Sequence, residues 1–199
     1  MPSPLTTLVL ASSSPRRRTL LEQAGLTLII EAPSVDEGDL PGEPVREFAL
    51  RIARKKAVAI AVRHPGRVVL AADTAVALGR HLFGKPRDVD DALRMLGLLS
   101  GQEHQVVTGI YAMGPQGPRE AVVTTRVRFR PIPEAQARWY VATGEPFDKA
   151  GAYAIQDRGG MFVESIEGSY SNVVGLPLAE SLELVAGAGL RLPWEGQAR

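Results

Sequence analysis

The sequence predicts an α/β fold, and two kinds of segment indicate it. Apolar runs at residues 8–11 and 68–78 have the length and composition of buried strands. The second run is apolar on both faces, which is typical of a central strand covered on both sides of a sheet. Residues 45–62 carry apolar side chains at helical spacing, and residues 15–24 follow helix-start signals, so helices are expected beside these strands.

The first strand is followed by serines, a proline and three arginines. Ser14 is a favourable N-cap, and Pro15 fits the first helical position, where its missing N–H is no loss. Arg16 and Arg17 then stand in the first turn, where cations oppose the helix macrodipole. A phosphate would satisfy these guanidinium groups, the hydroxyl of Ser12 and the free backbone N–H groups together. The alternative is a capped helix with a solvated basic first turn.

Asp73 interrupts the apolar run of residues 68–78. A carboxylate in a buried strand is costly unless it is paired or bound to a metal, and such charges concentrate at functional sites. The alternative is an aspartate that accepts backbone N–H bonds at a bend. Lys56 lies on the apolar stripe of the preceding helix, whereas Lys55 points to one side. A lysine on such a stripe either extends to solvent or faces an anion.

The rest of the chain adds further strands and helices. The arginines of residues 121–130 alternate with buried positions and indicate a solvated face, while His104 is interpreted as a helix-to-strand cap. A boundary between lobes is expected at residues 83–88. The further elements expected are a strand at 26–31, a turn at 79–80, a helix capped by Asp88, paired strands at 105–113 and 121–130, a helix at 133–143, strands at 153–156 and 161–166, a polar turn at 169–172, a helix at 178–186 and a frayed end at 193–199.

Composition narrows the classes of function. The chain has 199 residues, a hydrophobic fraction of 45%, a net charge of +1 and no cysteine. The near-zero net charge argues against nucleic acid as a partner. The apolar runs are too short to span a membrane, and the N-terminus lacks the layout of a signal peptide. A cytoplasmic protein is therefore expected. The absence of cysteine excludes disulfides and thiolate catalysis. The chain has no P-loop motif, and its three histidines have no metal-binding spacing.

The remaining charged positions suit polyphosphate chemistry. Cations neutralise phosphate oxygens, a divalent ion bridges them, and a carboxylate holds the metal or takes a proton from water. Lys85, between a glycine and a proline, is either placed rigidly or an ordinary loop cation. The full set comprises Ser12, Ser14, Arg16, Arg17, Lys56, Lys85 and Lys149 with the acids Glu37 and Asp73.

These motifs resemble the Maf proteins, the septum-formation-inhibitor-like nucleoside triphosphate pyrophosphatases. The likeness runs in order through nearly the whole chain. It rests on Leu10-Ala-Ser-Ser-Ser-Pro-Arg-Arg17, Asp36-Glu37, Lys56-Ala57, Ala71-Ala-Asp-Thr74, Gly84-Lys85-Pro86, Leu99-Ser-Gly with His104 and Thr108-Gly109, Gly144-Glu-Pro with Asp148-Lys-Ala-Gly-Ala-Tyr153, Ile155-Gln156, and Gly168-Ser-Tyr with Asn172-Val-Val-Gly-Leu-Pro-Leu178.

The resemblance implies a single domain over residues 1–199, with a two-lobed fold like that of the inosine triphosphate pyrophosphatases. In that fold an elongated mixed sheet is flanked by helices, with a cleft between the lobes. It also implies hydrolysis of a nucleoside triphosphate to the monophosphate and pyrophosphate, assisted by Mg²⁺ or Mn²⁺, and a homodimer. Two alternatives stay open. They are a pyrophosphatase for modified nucleotides such as 7-methyl-GTP, and a non-catalytic nucleotide-binding regulator of cell division.

The resemblance also assigns roles to residues. Asp73 corresponds to the family's general base and, with Glu37, to its metal ligands. The double arginine, Thr74 and Gln156 match the branch that acts on dTTP and UTP, but Ala154 and Asp157 stand where the family usually has glycines. A side chain at Asp157 would narrow the base end of the pocket or reject an anion there. The implied substrate-binding residues are Ser12, Ser14, Arg16, Arg17, Lys56, Thr74, Lys85 and Gln156, with Arg16, Thr74 and Gln156 setting specificity.

Overall fold

The computed structural model describes residues 5–38, 40 and 42–196. Strands and helices alternate through most of this length, joined by turns and short 3-10 segments. The strands are β1 (Thr7–Leu10), β2 (Thr27–Ile30), β3 (Val69–Leu78), β4 (His81–Phe83), β5 (Glu103–Met113), β6 (Arg119–Phe129) and β7 (Val163–Glu167). The helices are α1 (Pro15–Gln23), α2 (Val45–Ala61), α3 (Val89–Leu99), α4 (Glu134–Ala142), α5 (Tyr170–Val174) and α6 (Leu178–Gly187).

The seven strands form one mixed sheet in the order β2-β1-β3-β5-β6-β7, with β4 paired to β3. β1 runs parallel to both β2 and β3, as expected where helical crossovers join strands. β4 and β7 run antiparallel to their neighbours. The predicted α/β class with a mixed sheet and flanking helices is therefore confirmed. In the described part of the chain, no helix combines the length and apolarity that crossing a bilayer requires.

The chain divides into two compact units. Among the described residues, the first unit comprises those up to Asp73, residues 108–123 and those from Gly175 onward, and the second comprises residues 74–107 and 124–174. The chain first passes from one to the other inside β3, between Asp73 and Thr74. The expected boundary at residues 83–88 is wrong, because the change of pattern there marks only the end of the β3–β4 hairpin. The cleft that the resemblance implies stays a prediction.

The core of the first unit is built on both faces of β1. Leu8 and Leu10 pack into one apolar cluster, while Val9 and Ala11 pack into another that includes one face of α2. All four side chains are fully buried. The alternation follows from the two-residue period of a strand, and it explains why this run contains no polar residue until the strand ends.

The second unit has an aromatic core. Phe129, Phe162, Tyr140 and Tyr153 are buried in it, and several of their rings meet edge to face. His104 lies inside β5 and is also buried, with its Nε2 2.9 Å from the hydroxyl of Tyr153. Burial lowers the pKa of His104 to about 4. The interpretation of His104 as a cap is therefore wrong; it is a neutral core residue.

Four further expectations are corrected or confirmed. Residues 153–156 are an irregular segment that ends in a turn at residues 155–156 rather than a strand, and residues 158–162 form a 3-10 helix before β7 begins. The polar turn expected at residues 169–172 is wrong for most of its length, because α5 begins at Tyr170; Asn172 is buried in this helix and donates to the carbonyl of Val106. The arginines of β6 are exposed as expected, and Arg126 and Arg128 form ion pairs with glutamates of β5 and β7. Residues 193–196 form a 3-10 turn, and residues 197–199 lie outside the described part of the chain.

Gly109 of β5 allows α2 to pack directly on the sheet. A Cβ at this position would lie 2.4 Å from the carbonyl carbon of Ala49 and 2.4 Å from the nitrogen of Leu50. Both are backbone atoms of a helix and cannot rotate away, so only glycine fits. This contact fixes the distance at which α2, the helix that carries Lys56, packs on the sheet.

We expect Gly109→Ala to lower the free energy of unfolding by about 2–4 kcal/mol, because the helix must shift to admit the methyl group. Gly97→Ala is the matched control. Gly97 lies in α3 with open space around its Cβ position, so alanine should stabilise the protein by about 0.5–1 kcal/mol. Thermal and urea unfolding followed by circular dichroism measures both, and equal effects would contradict the packing argument.

Candidate functional site

The turn between β1 and α1 is built from serine hydroxyls. The N–H of Arg17 donates to Ser14 Oγ at 3.5 Å, so Ser14 is the N-cap of α1 as predicted. The N–H of Ser14 donates in turn to Ser12 Oγ at 3.1 Å. Ser12 is buried at the end of β1, and its hydroxyl also accepts from the guanidinium of Arg17 at 3.4 Å. The serines therefore set the shape of the turn and help to hold the arginine.

Arg17 is held from a second side by the backbone. Its Nε donates to the carbonyl of Gly175 at 2.8 Å, a contact from the start of α1 to the segment before α6. Burial lowers the pKa of Arg17, and the charge of Arg16 acts in the same direction. The carboxylates of Asp73 and Glu37 oppose this effect and raise its pKa. A guanidinium remains charged under these conditions, so the structure fixes a half-buried positive charge beside two acidic groups.

Lys56 reaches two carboxylates from the buried face of α2. Its Nζ lies 2.7 Å from Asp73 Oδ1 and 2.8 Å from Glu37 Oε2. The side chain is 9% exposed, so it faces anions and does not extend to solvent. Lys55, the next residue toward the N-terminus, is exposed, as helical spacing predicted. The buried stripe of α2 thus places one cation beside the middle of the central strand.

Asp73 is a buried carboxylate near the middle of β3. Burial is the largest influence and raises its pKa, and the neighbouring charge of Glu37 acts in the same direction. The positive charges of Lys56 and Arg17 lower the pKa but do not cancel the effect of burial. The alternative of an aspartate held by backbone N–H groups at a bend is not what the structure contains, since β3 continues to Leu78 and the partner of the carboxylate is an ammonium group.

Glu37 and Asp73 form a donor set suitable for Mg²⁺ or Mn²⁺. Both carboxylates converge on the single ammonium of Lys56, which shows that they approach closely enough to serve one cation. Among residues 5–38, 40 and 42–196, no cluster of three or more acidic or histidine side chains has the geometry of a metal site. Mg²⁺ commonly binds to only one or two carboxylates and takes its other ligands from phosphate and water, so the two residues fit that role.

The predicted site residues therefore divide between the two units. Thr74 is the half-buried residue after Asp73, and Lys85 is exposed after β4. Gln156 lies in the turn before the 3-10 helix of residues 158–162, where its Nε2 donates to Asp157 Oδ2 at 2.7 Å. The residues of the first unit are Ser12, Ser14, Arg16, Arg17, Glu37, Lys56 and Asp73, and those of the second are Thr74, Lys85 and Gln156.

The structure places Lys149, one of the candidate cations, in the loop after α4, where it donates to the carbonyl of Glu145 at 2.8 Å and pairs with Asp148. One contact of the site was not predicted from the sequence. Gly175 was missed as the backbone partner of Arg17. Every residue carries a carbonyl, so no residue type could have indicated this contact.

Comparison with known proteins gives consistent results. A model of the Maf family, described as Maf-like protein, matches residues 7–188. A dTTP/UTP pyrophosphatase from Anaeromyxobacter dehalogenans (strain 2CP-C) is 56% identical over 194 residues, which cover 94% of this chain and 97% of that relative. A dTTP/UTP pyrophosphatase from Myxococcus xanthus (strain DK1622) is 52% identical, with coverage of 95% of this chain and 96% of that relative.

Among solved structures, a HAM1 protein from Coxiella burnetii is 16% identical, with a TM-score of 0.49 over 92% of this chain and 100% of that one. The family model and the sequence relatives, in contrast, match at high identity and span nearly the whole length of this protein. On that basis the chain belongs to the Maf family.

Proposed function

We propose that this protein hydrolyses dTTP and UTP to the nucleoside monophosphate and pyrophosphate. The observation that carries the proposal is the buried carboxylate of Asp73, whose pKa is raised and which pairs with Lys56 beside Arg17. A protein that only bound nucleotides would need the cations but not this carboxylate. The names of the relatives from Anaeromyxobacter dehalogenans and Myxococcus xanthus, both dTTP/UTP pyrophosphatases, support the same activity.

The residues at the start of α1 suit the binding of phosphate. A triphosphate carries several negative charges, and the guanidinium groups of Arg16 and Arg17 with the first-turn N–H groups are donors suited to its oxygens. Lys56 adds an ammonium group on α2, and the family resemblance adds Lys85. Ser12 holds Arg17 in place, so the main cation is oriented before substrate arrives.

The carboxylates of Glu37 and Asp73 would hold the divalent ion. When bound, Mg²⁺ or Mn²⁺ neutralises charge on the phosphate oxygens and so favours departure of pyrophosphate. The Nζ of Lys56 lies 2.7 Å from Asp73 Oδ1 and 2.8 Å from Glu37 Oε2. It therefore already holds the two carboxylates near each other, which reduces the free-energy cost of bringing them together around a metal ion. The support for a metal is this donor set together with the family resemblance.

Asp73 would act as the general base. Its carboxylate takes a proton from water, the water oxygen forms a bond to the α-phosphorus, and the bond from that phosphorus to the bridging oxygen breaks. Pyrophosphate leaves with the electron pair of that bond. A raised pKa makes the carboxylate a stronger base than an ordinary aspartate, which favours the proton transfer.

The proposal extends to base preference, location and assembly. The family resemblance assigns the choice of thymine or uracil to Arg16, Thr74 and Gln156. A cytoplasmic location suits a chain without cysteine and a substrate from the nucleotide pool. The homodimer rests on the family resemblance alone.

The function is tested by pyrophosphate release from a panel of canonical and modified triphosphates, with Mg²⁺, Mn²⁺ or EDTA. We expect dTTP and UTP to give the highest kcat/KM, EDTA to abolish turnover, and added Mg²⁺ or Mn²⁺ to restore it. Analysis of products by chromatography identifies the bond that breaks. Preference for 7-methyl-GTP would favour the modified-nucleotide alternative, and binding without turnover would favour the regulator.

Asp73→Asn should reduce kcat by about 10²–10⁴-fold, the range typical of a positioned general base. The amide is nearly isosteric but cannot accept the proton. Asp90→Asn, an exposed aspartate in the first turn of α3, is the matched control and should retain full kcat. Steady-state kinetics with UTP, alongside circular dichroism to verify folding, measures both. Full turnover by the Asp73 variant would rule out its role as base.

Lys56→Gln should shift the pH dependence of kcat/KM. Lys56 lowers the pKa of Asp73, so its removal allows that pKa to rise further. The base is inactive when protonated, and the acid limb of the profile should therefore move to higher pH, with kcat/KM lower by roughly 10–100-fold at neutral pH. Lys55→Gln is the matched control, since this neighbouring lysine is exposed. The acid limb of the pH profile of this variant should stay at the wild-type pH. An unmoved limb in the Lys56 variant would contradict the electrostatic argument.

A further inference from the structure

Lys56 lies between the two carboxylates that suit a divalent metal ion. Its Nζ is 2.7 Å from Asp73 Oδ1 and 2.8 Å from Glu37 Oε2, so one ammonium group bonds to both acids. An ammonium has three N–H donors and no acceptor, and it can therefore satisfy two carboxylates at once. In the protein without substrate, these two acids already share a cation that belongs to the chain itself.

The charges around this ammonium balance without a metal. Glu37 and Asp73 carry two negative charges, and the positive charges of Lys56 and Arg17 both act on them. A divalent ion added to this group would leave an excess of positive charge in a partly buried place. It would also be repelled by an ammonium that lies within hydrogen-bond distance of both carboxylates. These charges oppose the binding of a divalent ion to the free protein.

The two partners of Lys56 differ in their exposure to solvent. The side chain of Asp73 is 12% exposed, whereas that of Glu37 is 52% exposed and belongs to the segment between β2 and α2. Lys56 is anchored on α2, but its stem of four carbons is flexible. The ammonium can therefore leave the carboxylates without any shift of the helix, and Glu37 is the partner more open to an arriving ligand.

We propose that Lys56 is a built-in counter-ion that keeps divalent metal off Glu37 and Asp73 until a nucleoside triphosphate arrives. The phosphate chain brings several negative charges, and its oxygens accept hydrogen bonds from the ammonium. Lys56 then turns from the carboxylates to the phosphates, which leaves both acids available to the divalent ion that accompanies the nucleotide. The identity of the nucleotide rests on the proposed function, but the exclusion of free metal depends only on the contacts of Lys56.

The test of this exclusion measures Mn²⁺ binding without nucleotide, by electron paramagnetic resonance of the unbound ion. Lys56→Gln should bind Mn²⁺ about tenfold or more tightly than the wild type, because the repelling charge is gone and both carboxylates are open. Adding Glu37→Gln to this variant should abolish the gain, since one of the two acids is then missing. Lys55→Gln removes an exposed lysine of the same helix and is the matched control, with the affinity of the wild type expected.

A second comparison leaves Lys56 in place, because its loss from a buried ion pair can impair folding. Without nucleotide, Glu37→Gln alone should leave the Mn²⁺ affinity at the wild-type value, since Lys56 already occupies the carboxylate that it removes. The second arm uses a UTP analogue with a methylene bridge between the α- and β-phosphorus. Here Glu37→Gln should weaken the binding of the Mn²⁺–nucleotide complex by about tenfold or more, as measured by calorimetry. Circular dichroism verifies the folding of each variant.

Each outcome supports or overturns one idea. The exclusion of metal is overturned if folded Lys56→Gln binds Mn²⁺ no more tightly than the wild type, or if Glu37→Gln alone loses affinity without nucleotide. A gain that survives in the double variant also overturns it, since the ion would then lie elsewhere. If Glu37→Gln leaves the binding of the metal–nucleotide complex unchanged, the release of the carboxylates by substrate is wrong. An analogue that does not bind to the wild type contradicts the proposed function instead, and the measurements without nucleotide still decide the exclusion of metal.

Discussion

The ion pair between Lys56 and Asp73 is the interaction on which the site depends. A carboxylate in the central strand of a sheet is stable only if a charge accompanies it, and Lys56 supplies that charge from a neighbouring helix at 2.7 Å. The lysine cannot be removed without leaving a buried negative charge, nor the aspartate without leaving a buried positive one. The ion pair therefore fixes the position of the helix relative to the strand, in addition to the packing between them.

Around this pair the charges alternate. Glu37 binds the other side of Lys56, while Arg17 lies within electrostatic range of both acids. Such an arrangement keeps the site close to neutral before substrate binds, so that no single group is strongly destabilised. It also explains why overall net charge is uninformative, since +1 for the whole chain conceals a dense local cluster. Polyanionic substrates would disturb this balance, and a divalent ion would restore it.

The sequence predicted the parts of the site that depend on local rules. Ser14 as N-cap, Lys56 on a buried stripe and Asp73 in a central strand each follow from spacing or capping over a few residues. Prediction failed where distant segments decide the outcome. His104 is a core residue because aromatic rings from later in the chain surround it, and residues 153–156 are not a strand because Glu145 and two glycines hold the following loop. Local propensity contains no information on such contacts.

The contact between Gly109 and the backbone of Ala49 and Leu50 has a consequence for how the protein tolerates change. One missing methyl group on a strand determines where a helix rests, and that helix carries Lys56 toward Asp73. Substitutions on the buried side of α2 would therefore alter turnover without touching any ligand. Directed evolution of new substrate ranges should leave the contact between Gly109 and α2 unchanged and introduce substitutions in the exposed loops instead.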